Sequence, residues 1–64
     1  MDWYSTKSFT DNGSTEFAIC VGYVDSKTMR YCTKWIPRSV AEIKGGVLYV
    51  QRWWADRNNF LPEM

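Results

Sequence analysis

The clearest fold signal in this chain is the segment EFAICVGYVDSKTMRYCTKWI, which spans residues 16–36. Residues 16–24 and 29–36 are rich in β-branched and aromatic side chains, and the residues between them are typical of a turn. The segment therefore predicts an antiparallel β-hairpin. If Val24 pairs with Thr28 across a three-residue loop, one face carries the large apolar side chains. The four pairs on that face are Phe17 with Trp35, Ile19 with Thr33, Val21 with Tyr31 and Tyr23 with Met29.

The same register collects small and charged residues on the opposite face of the hairpin. Its pairs are Ala18 with Lys34, Cys20 with Cys32 and Gly22 with Arg30. A slip of one residue would mix the two groups, so the pattern predicts this register and a core position for Trp35. Cys20 and Cys32 would lie directly opposite each other, where a disulfide is geometrically feasible. Because we expect an intracellular location, we predict two free thiols instead.

A second hairpin is predicted around Gly45-Gly46, since two glycines favour a two-residue type I′ turn. Pairing across this turn places Ile43 opposite Leu48 and Ala41 opposite Val50 on a core-like face. Glu42 and Tyr49 share the opposite face, which has the character of a surface.

Weaker signals concern the two ends of the chain. Asp11-Asn12-Gly13 favours a turn that folds residues 3–9 back onto residues 16–24, although residues 1–9 are also compatible with a mobile arm. Residues 51–59 predict a short helix held in place by packing, with an apolar stripe of Val50, Trp54 and Leu61, or of Trp53 and Phe60.

These elements predict a single small domain, residues 1–64, of mainly β (α+β) class. We expect a four- to five-stranded antiparallel meander, or a small SH3-like or OB-like barrel, with one short C-terminal helix. A helix packed on an open sheet is the alternative. A chain of 64 residues buries a small share of its surface. Four Trp, four Tyr and three Phe offset this limit, because each ring buries a large area.

The residue types argue against catalysis. The chain has no histidine, which is the commonest general base and metal ligand, and two cysteines cannot complete a zinc site within one chain. No glycine-rich phosphate loop is present, and the seven acidic residues are scattered. We therefore expect no enzymatic activity, no cofactor and no bound metal.

Charge and hydropathy restrict the partners and the location. The formal net charge is +1, without the basic excess of non-specific nucleic-acid-binding proteins. No signal peptide is recognisable, and no apolar run approaches the ~20 residues that span a bilayer. We expect a cytoplasmic protein that does not enter a membrane.

Tryptophan and arginine provide the main indication of function, because both are enriched at interface hot spots. The candidate binding residues are Arg38, Arg52, Trp53, Arg57, Trp3 and Tyr4. In the alternative interpretation of the helix residues, Trp54 is core, Trp53 is partly buried and the arginines form only a solvated rim. For Trp3 and Tyr4, the alternative is a first strand that buries Trp3.

Two other interpretations remain open. A small barrel could bind single-stranded nucleic acid by stacking and phosphate contacts. The residues for it would be Tyr31, Tyr49, Trp53, Arg30, Lys34 and Arg52, although the predicted register turns Tyr31 inward. Alternatively, open sheet edges and exposed aromatics could make a homodimer or a self-assembling structural protein.

The C-terminal half resembles a group of short uncharacterised proteins of bacteriophages and prophages. The resemblance lies in Trp35-Ile-Pro-Arg-Ser39, a hairpin that ends in Leu48-Tyr-Val50, and the closing Trp53-Trp-Ala55. This chain differs in carrying Arg38 for Lys, Trp54 for Leu, and a Gly-Gly turn where acidic residues are usual. The resemblance implies a phage accessory protein in the host bacterial cytoplasm, one that binds a host protein and inhibits it, such as a component of an antiviral defence system.

Overall fold

The computed structural model describes residues 2–60 and 62, and these form six β-strands and one short α-helix. The elements in chain order are β1 (Trp3–Thr6), β2 (Thr10–Ser14), β3 (Ala18–Val24), β4 (Tyr31–Pro37), β5 (Ala41–Lys44), β6 (Val47–Gln51) and α1 (Arg52–Arg57). The mainly β class with one short C-terminal helix is therefore confirmed. The helix is shorter than the predicted residues 51–59, because Gln51 completes β6.

The strands form two three-stranded antiparallel sheets that do not close into a barrel. Sheet A has the order β1-β6-β5, and sheet B has the order β2-β3-β4. The predicted count of four to five strands and the predicted barrel are both wrong. The sixth strand, β2, forms where a turn was predicted, and the barrel stays open because no described strand of one sheet pairs with a strand of the other. β1 pairs with β6, from the other end of the chain, and not with β3. Neither sheet is therefore a continuation of the other.

The Gly45-Gly46 hairpin is confirmed in its register. Both glycines have positive φ angles, +59° and +77°, as a type I′ turn requires. Ile43 lies opposite Leu48, and Ala41 lies opposite Val50. The local turn chemistry is sufficient here, because both turn residues tolerate the left-handed conformation without strain.

The register of the central hairpin differs from the prediction by three residues. Val24 pairs with Tyr31, not with Thr28. The cause is the loop, in which the Asp25 N–H donates to the carbonyl oxygen of Arg30 and so leaves four residues, 26–29, outside the ladder. The Asp25 carboxylate accepts hydrogen bonds from the N–H groups of Lys27 and Thr28, at 2.8 and 3.1 Å. Met29 completes the loop at φ +59°.

A shift by an odd number of residues exchanges the faces of β4 relative to β3. Ile36 now lies opposite Ile19 and is fully buried, whereas Trp35 lies opposite Cys20 and is 56% exposed. The predicted core position of Trp35 is wrong. Three other side chains that were expected on the apolar face are exposed as well: Phe17, Met29 and Tyr31.

The same shift separates the two cysteines. Cys20 faces Trp35 and Cys32 faces Tyr23, so the predicted Cys20–Cys32 pair is wrong. The two side chains lie on opposite faces of sheet B, because their positions alternate along the register. Both cysteines are free, as expected.

The N-terminal hairpin is also rearranged. Asn12 and Gly13 lie within β2, where the register with β3 shifts between Asp11 and Ser14. Gly13 has φ +107°, which a β-bulge can accommodate and a non-glycine residue would resist. The reversal occurs later, where the Thr15 hydroxyl oxygen accepts hydrogen bonds from the N–H groups of Phe17 and Ala18. Asn12-Gly13 is therefore a bulge and not the predicted turn.

The core lies between the inner faces of the two sheets and is closed by the segment after α1. Its buried apolar residues are Ile19, Val21, Tyr23, Ile36, Val40, Ala41, Leu48, Val50, Ala55 and Phe60. Phe60 joins the layers, with ring centroids 4.8 Å from Tyr23, 6.4 Å from Tyr4 and 6.3 Å from Trp54. Leu61, which the sequence placed on an apolar helix stripe, lies outside the described residues.

Lys34 links sheet B to the end of the helix through a hydrogen bond. Its Nζ atom donates a 2.8 Å hydrogen bond to the carbonyl oxygen of Asn58, the residue that caps α1. Carbonyl groups at a helix C-terminus lack partners within the helix and attract cations. The Lys34 ammonium group is therefore directed toward the helix end.

Candidate binding surface

Trp3 and Trp53 are both neighbours of Gln51, the last residue of β6. Trp3 is the register partner of Gln51 in the β1–β6 pair. The Trp53 Nε1 atom donates a 2.8 Å hydrogen bond to the Gln51 side-chain oxygen. Trp3 is 39% exposed and Trp53 is 54% exposed. Residues from the two ends of the chain therefore form one exposed aromatic group.

Arg57 extends this group along the helix. Its guanidinium carbon lies 5.9 Å from the centre of the Trp53 ring, within the range of a cation–π contact. Among residues 2–60 and 62, no carboxylate forms an ion pair with Arg57. The guanidinium group is oriented by the indole ring, and its donors remain directed to solvent.

A depression open to solvent lies beside Trp3 on the same face. It has a volume of about 610 Å³. Its lining residues are Trp3, Glu42, Lys44, Gly45, Val47 and Tyr49. We name Trp3, Tyr49, Trp53 and Arg57 the Trp3–Trp53 surface. Tyr49 is the member that the sequence named only for nucleic-acid binding, although its register position opposite Glu42 predicted a surface location.

Arg52 and Tyr4 support this surface from behind. Arg52 Nε lies 2.7 Å from an Asp2 carboxylate oxygen, and the Arg52 N–H donates to the Asp2 carbonyl oxygen at 3.0 Å. The guanidinium group also stands 5.7 Å from the centre of the Tyr4 ring. These contacts hold the start of β1 against the start of α1, and so position Trp3 next to Trp53.

The Tyr4 ring is half-buried and turned toward the core, where it contacts Phe60 edge-on. Burial raises the pKa of the Tyr4 hydroxyl, and the nearby Arg52 charge lowers it by a smaller amount. The phenol therefore stays neutral at physiological pH. Tyr4 provides packing and a neutral hydroxyl here, not an exposed aromatic ring.

Arg38 belongs to a different region. Its Nε atom donates to the Thr15 carbonyl oxygen at 2.8 Å, and its Nη2 atom donates to the Ser14 hydroxyl at 2.9 Å. Both contacts stabilise the turn between β2 and β3. The structure thus brings Trp3, Trp53 and Arg57 together, and it directs Arg38 to sheet B.

A second exposed aromatic group lies on the outer face of sheet B. Tyr31 and Trp35 project from the same side of β4, separated by Thr33. The Tyr31 ring extends across Gly22, where an added Cβ atom would overlap the phenol oxygen. The Asn12 side-chain amide donates a 3.1 Å hydrogen bond to that oxygen. The sequence contained these rings, but the predicted register assigned them to the core.

We predict that Gly22→Ala has opposite effects on stability with and without Tyr31. In the parent, the new methyl group displaces the Tyr31 ring and breaks its hydrogen bond, which costs about 1 kcal/mol. In a Tyr31→Ala background, the same change removes a flexible glycine from a strand and stabilises by about 0.5–1 kcal/mol. Urea unfolding of the four proteins measures both values, and equal effects in the two backgrounds would contradict the packing.

No helix in residues 2–60 and 62 has the length and apolar character to cross a membrane. The same residues contain no group of three or more Cys, Asp or Glu side chains arranged to hold a metal ion. Comparison with protein-family models, with curated proteins and with solved structures finds no match to this chain.

Proposed function

We propose that this chain is a non-enzymatic binding protein that engages another protein through the Trp3–Trp53 surface. The observation that carries the proposal is the placement of two exposed tryptophans beside Gln51, one of which, Trp3, lines a depression open to solvent. Trp, Tyr and Arg are the residues that most often dominate the energy of protein interfaces. The surface combines all three types.

The chemistry of the surface favours a protein as the partner. The depression can receive one apolar side chain against Trp3 and Tyr49. Glu42 and Lys44 provide one negative and one positive group at its border, which can orient the partner. Together with Arg57, these groups leave one net positive charge, which falls short of the excess of cations that a phosphate backbone requires.

The resemblance to phage and prophage proteins supports a more specific form of the proposal. On this basis, the partner is a host protein in the bacterial cytoplasm, and binding inhibits or redirects it, as for a component of an antiviral defence system. The support is the pattern in Trp35-Ile-Pro-Arg-Ser39, Leu48-Tyr-Val50 and Trp53-Trp-Ala55.

The test combines affinity capture from host cells with a double substitution. We expect Trp53→Ala with Arg57→Ala to weaken binding of the captured protein by at least about a hundredfold, since two hot-spot side chains are removed. The fold should remain, because both residues are exposed. Isothermal titration against the captured protein measures the loss, and circular dichroism checks the fold.

A matched control removes the same kinds of group elsewhere. Phe17→Ala with Arg30→Ala deletes one exposed ring and one exposed guanidinium group from the loops of sheet B. We expect it to bind like the parent. If the control loses binding and the Trp53 and Arg57 variant retains it, the proposed surface is wrong.

Single-stranded nucleic acid is the second candidate, because the structure exposes Tyr31. The other residues of that hypothesis do not join it on one face. Tyr49 lies on sheet A, and the Lys34 ammonium group is bound to the Asn58 carbonyl oxygen. A salt titration of oligonucleotide binding distinguishes the candidates, since phosphate contacts weaken steeply with salt. No binding at low salt would exclude nucleic acid.

A further inference from the structure

Strand β4 presents a free sheet edge seven residues long. It lies at the border of sheet B, with β3 on one side and no other described strand on the other. The Asp25 N–H bonds to the Arg30 carbonyl, and the Arg38 N–H bonds to the Phe17 carbonyl. In an antiparallel ladder, every second residue points its backbone groups toward the partner strand. The N–H and C=O groups of residues 31, 33 and 35 therefore point away from β3.

This edge lacks the protection that sheet edges usually carry. Proteins block edges with lysines, bulges, prolines or very short strands. Sheet B has a bulge in β2, and the two edge strands of sheet A, β1 and β5, have four residues each. In β4, the one lysine is Lys34, whose ammonium group is held at the Asn58 carbonyl, and the proline lies at the last position. Residues 31–36 are left open to pairing.

We propose that β4 pairs with β4 of a second copy of this chain, antiparallel, around a two-fold axis at Thr33. The paired residues are Tyr31 with Trp35 of the partner subunit, Thr33 with Thr33 of the partner subunit, and Trp35 with Tyr31 of the partner subunit. All three positions direct their backbone groups outward, so this register forms six interchain hydrogen bonds. The two sheets B become one six-stranded sheet.

The side chains favour this particular register. Tyr31 and Trp35 are on the same outer face, so each dimer contains two cross-strand aromatic pairs and one Thr–Thr pair, all of which stabilise sheets. On the inner side, Lys34 faces the partner's Cys32, and Arg30 faces the partner's Ile36. No cation therefore lies directly opposite another cation. The strand is complementary to its own copy, as a two-fold interface requires.

This proposal is independent of the Trp3–Trp53 surface, which belongs to sheet A and the helix. In the dimer, that surface occurs twice and stays uncovered by the β4 contact. The dimer would therefore offer such a partner two identical binding sites.

The position of Thr33 on the axis gives a charge-swap test by analytical ultracentrifugation. We expect the parent to sediment as a dimer. Thr33→Lys and Thr33→Glu each place like charges opposite one another, and should weaken the dimer about a hundredfold. An equal mixture of these two variants should sediment as a dimer again, because a lysine then faces a glutamate. Thr10→Lys, on the same sheet face but in β2, is the matched control and should remain dimeric.

The measurements overturn the proposal if the parent is a monomer at the highest concentration reached, or if Thr33→Lys sediments like the parent. They also overturn it if the mixture of charged variants stays monomeric, since Thr33 would then not face itself. If the parent is monomeric and Thr33→Lys loses binding to a captured protein, the edge belongs to that protein instead. Circular dichroism of each variant confirms that changes in mass arise in folded chains.

Discussion

Replacing Phe60 by alanine is expected to remove most or all of the folding stability of this domain. The ring is 1% exposed and contacts the side chains of Tyr4, Tyr23 and Trp54. Deleting a buried phenylalanine side chain costs ~3–5 kcal/mol, through lost transfer energy and the cavity that remains. Small domains have total stabilities of ~5–15 kcal/mol, and short chains lie toward the low end.

Phe17→Ala is the matched control for this prediction. It makes the same chemical change at a ring that is 76% exposed, so we expect a cost below about 1 kcal/mol. Urea unfolding followed by tryptophan fluorescence compares the midpoints of both variants with the parent. Equal costs at positions 17 and 60 would show that Phe60 does not join the helix to the two sheets.

The second large effect is expected at two adjacent residues of β4. Ile36→Ala should destabilise the protein by ~2–5 kcal/mol, because Ile36 is fully buried between the sheets. Trp35→Ala should cost much less, about 1 kcal/mol, although it removes the larger side chain, since Trp35 is 56% exposed. The register predicted from the sequence requires the reverse order.

Thermal and urea unfolding of these two variants therefore determine the register of the central hairpin. The comparison should be made at low protein concentration, where a contribution of Trp35 to the β4–β4 contact is small. If Trp35→Ala lowers the free energy of unfolding more than Ile36→Ala does, the predicted three-residue loop is correct and the arrangement of the core described above is wrong.

Features with a local cause could be predicted. Gly45-Gly46 determined both the turn type and the register of the β5–β6 hairpin, because positive φ angles select glycine and a two-residue loop permits one pairing. The mainly β class and the short helix followed from side-chain periodicity.

The central register could not be predicted in the same way, since two loop lengths are compatible with Asp25-Ser-Lys-Thr28. Local sorting of side chains favoured the three-residue loop. The observed register adds Ile36 to the buried face of Ile19 and Val21, and the gain from packing that face against sheet A is invisible when a hairpin is considered alone.

The candidate surface shows the same division. Its residue types, exposed Trp and Arg, could be named from the sequence. Its composition could not, because the β1–β6 pair brings Trp3 beside Gln51, a residue almost fifty positions away in the sequence, to which Trp53 also bonds. Arg38 was one of the candidate binding residues, but its side chain bonds to the turn between β2 and β3.

The amino-acid sequence by itself determined the fold class, the glycine hairpin and the kinds of side chain available for binding, because each depends on interactions between near neighbours. The tertiary structure decided which strands pair, which face of β4 is buried, and which tryptophans lie beside Gln51. Those choices depend on long-range burial of apolar area between the two sheets, which outweighs the small energy differences between alternative local turns.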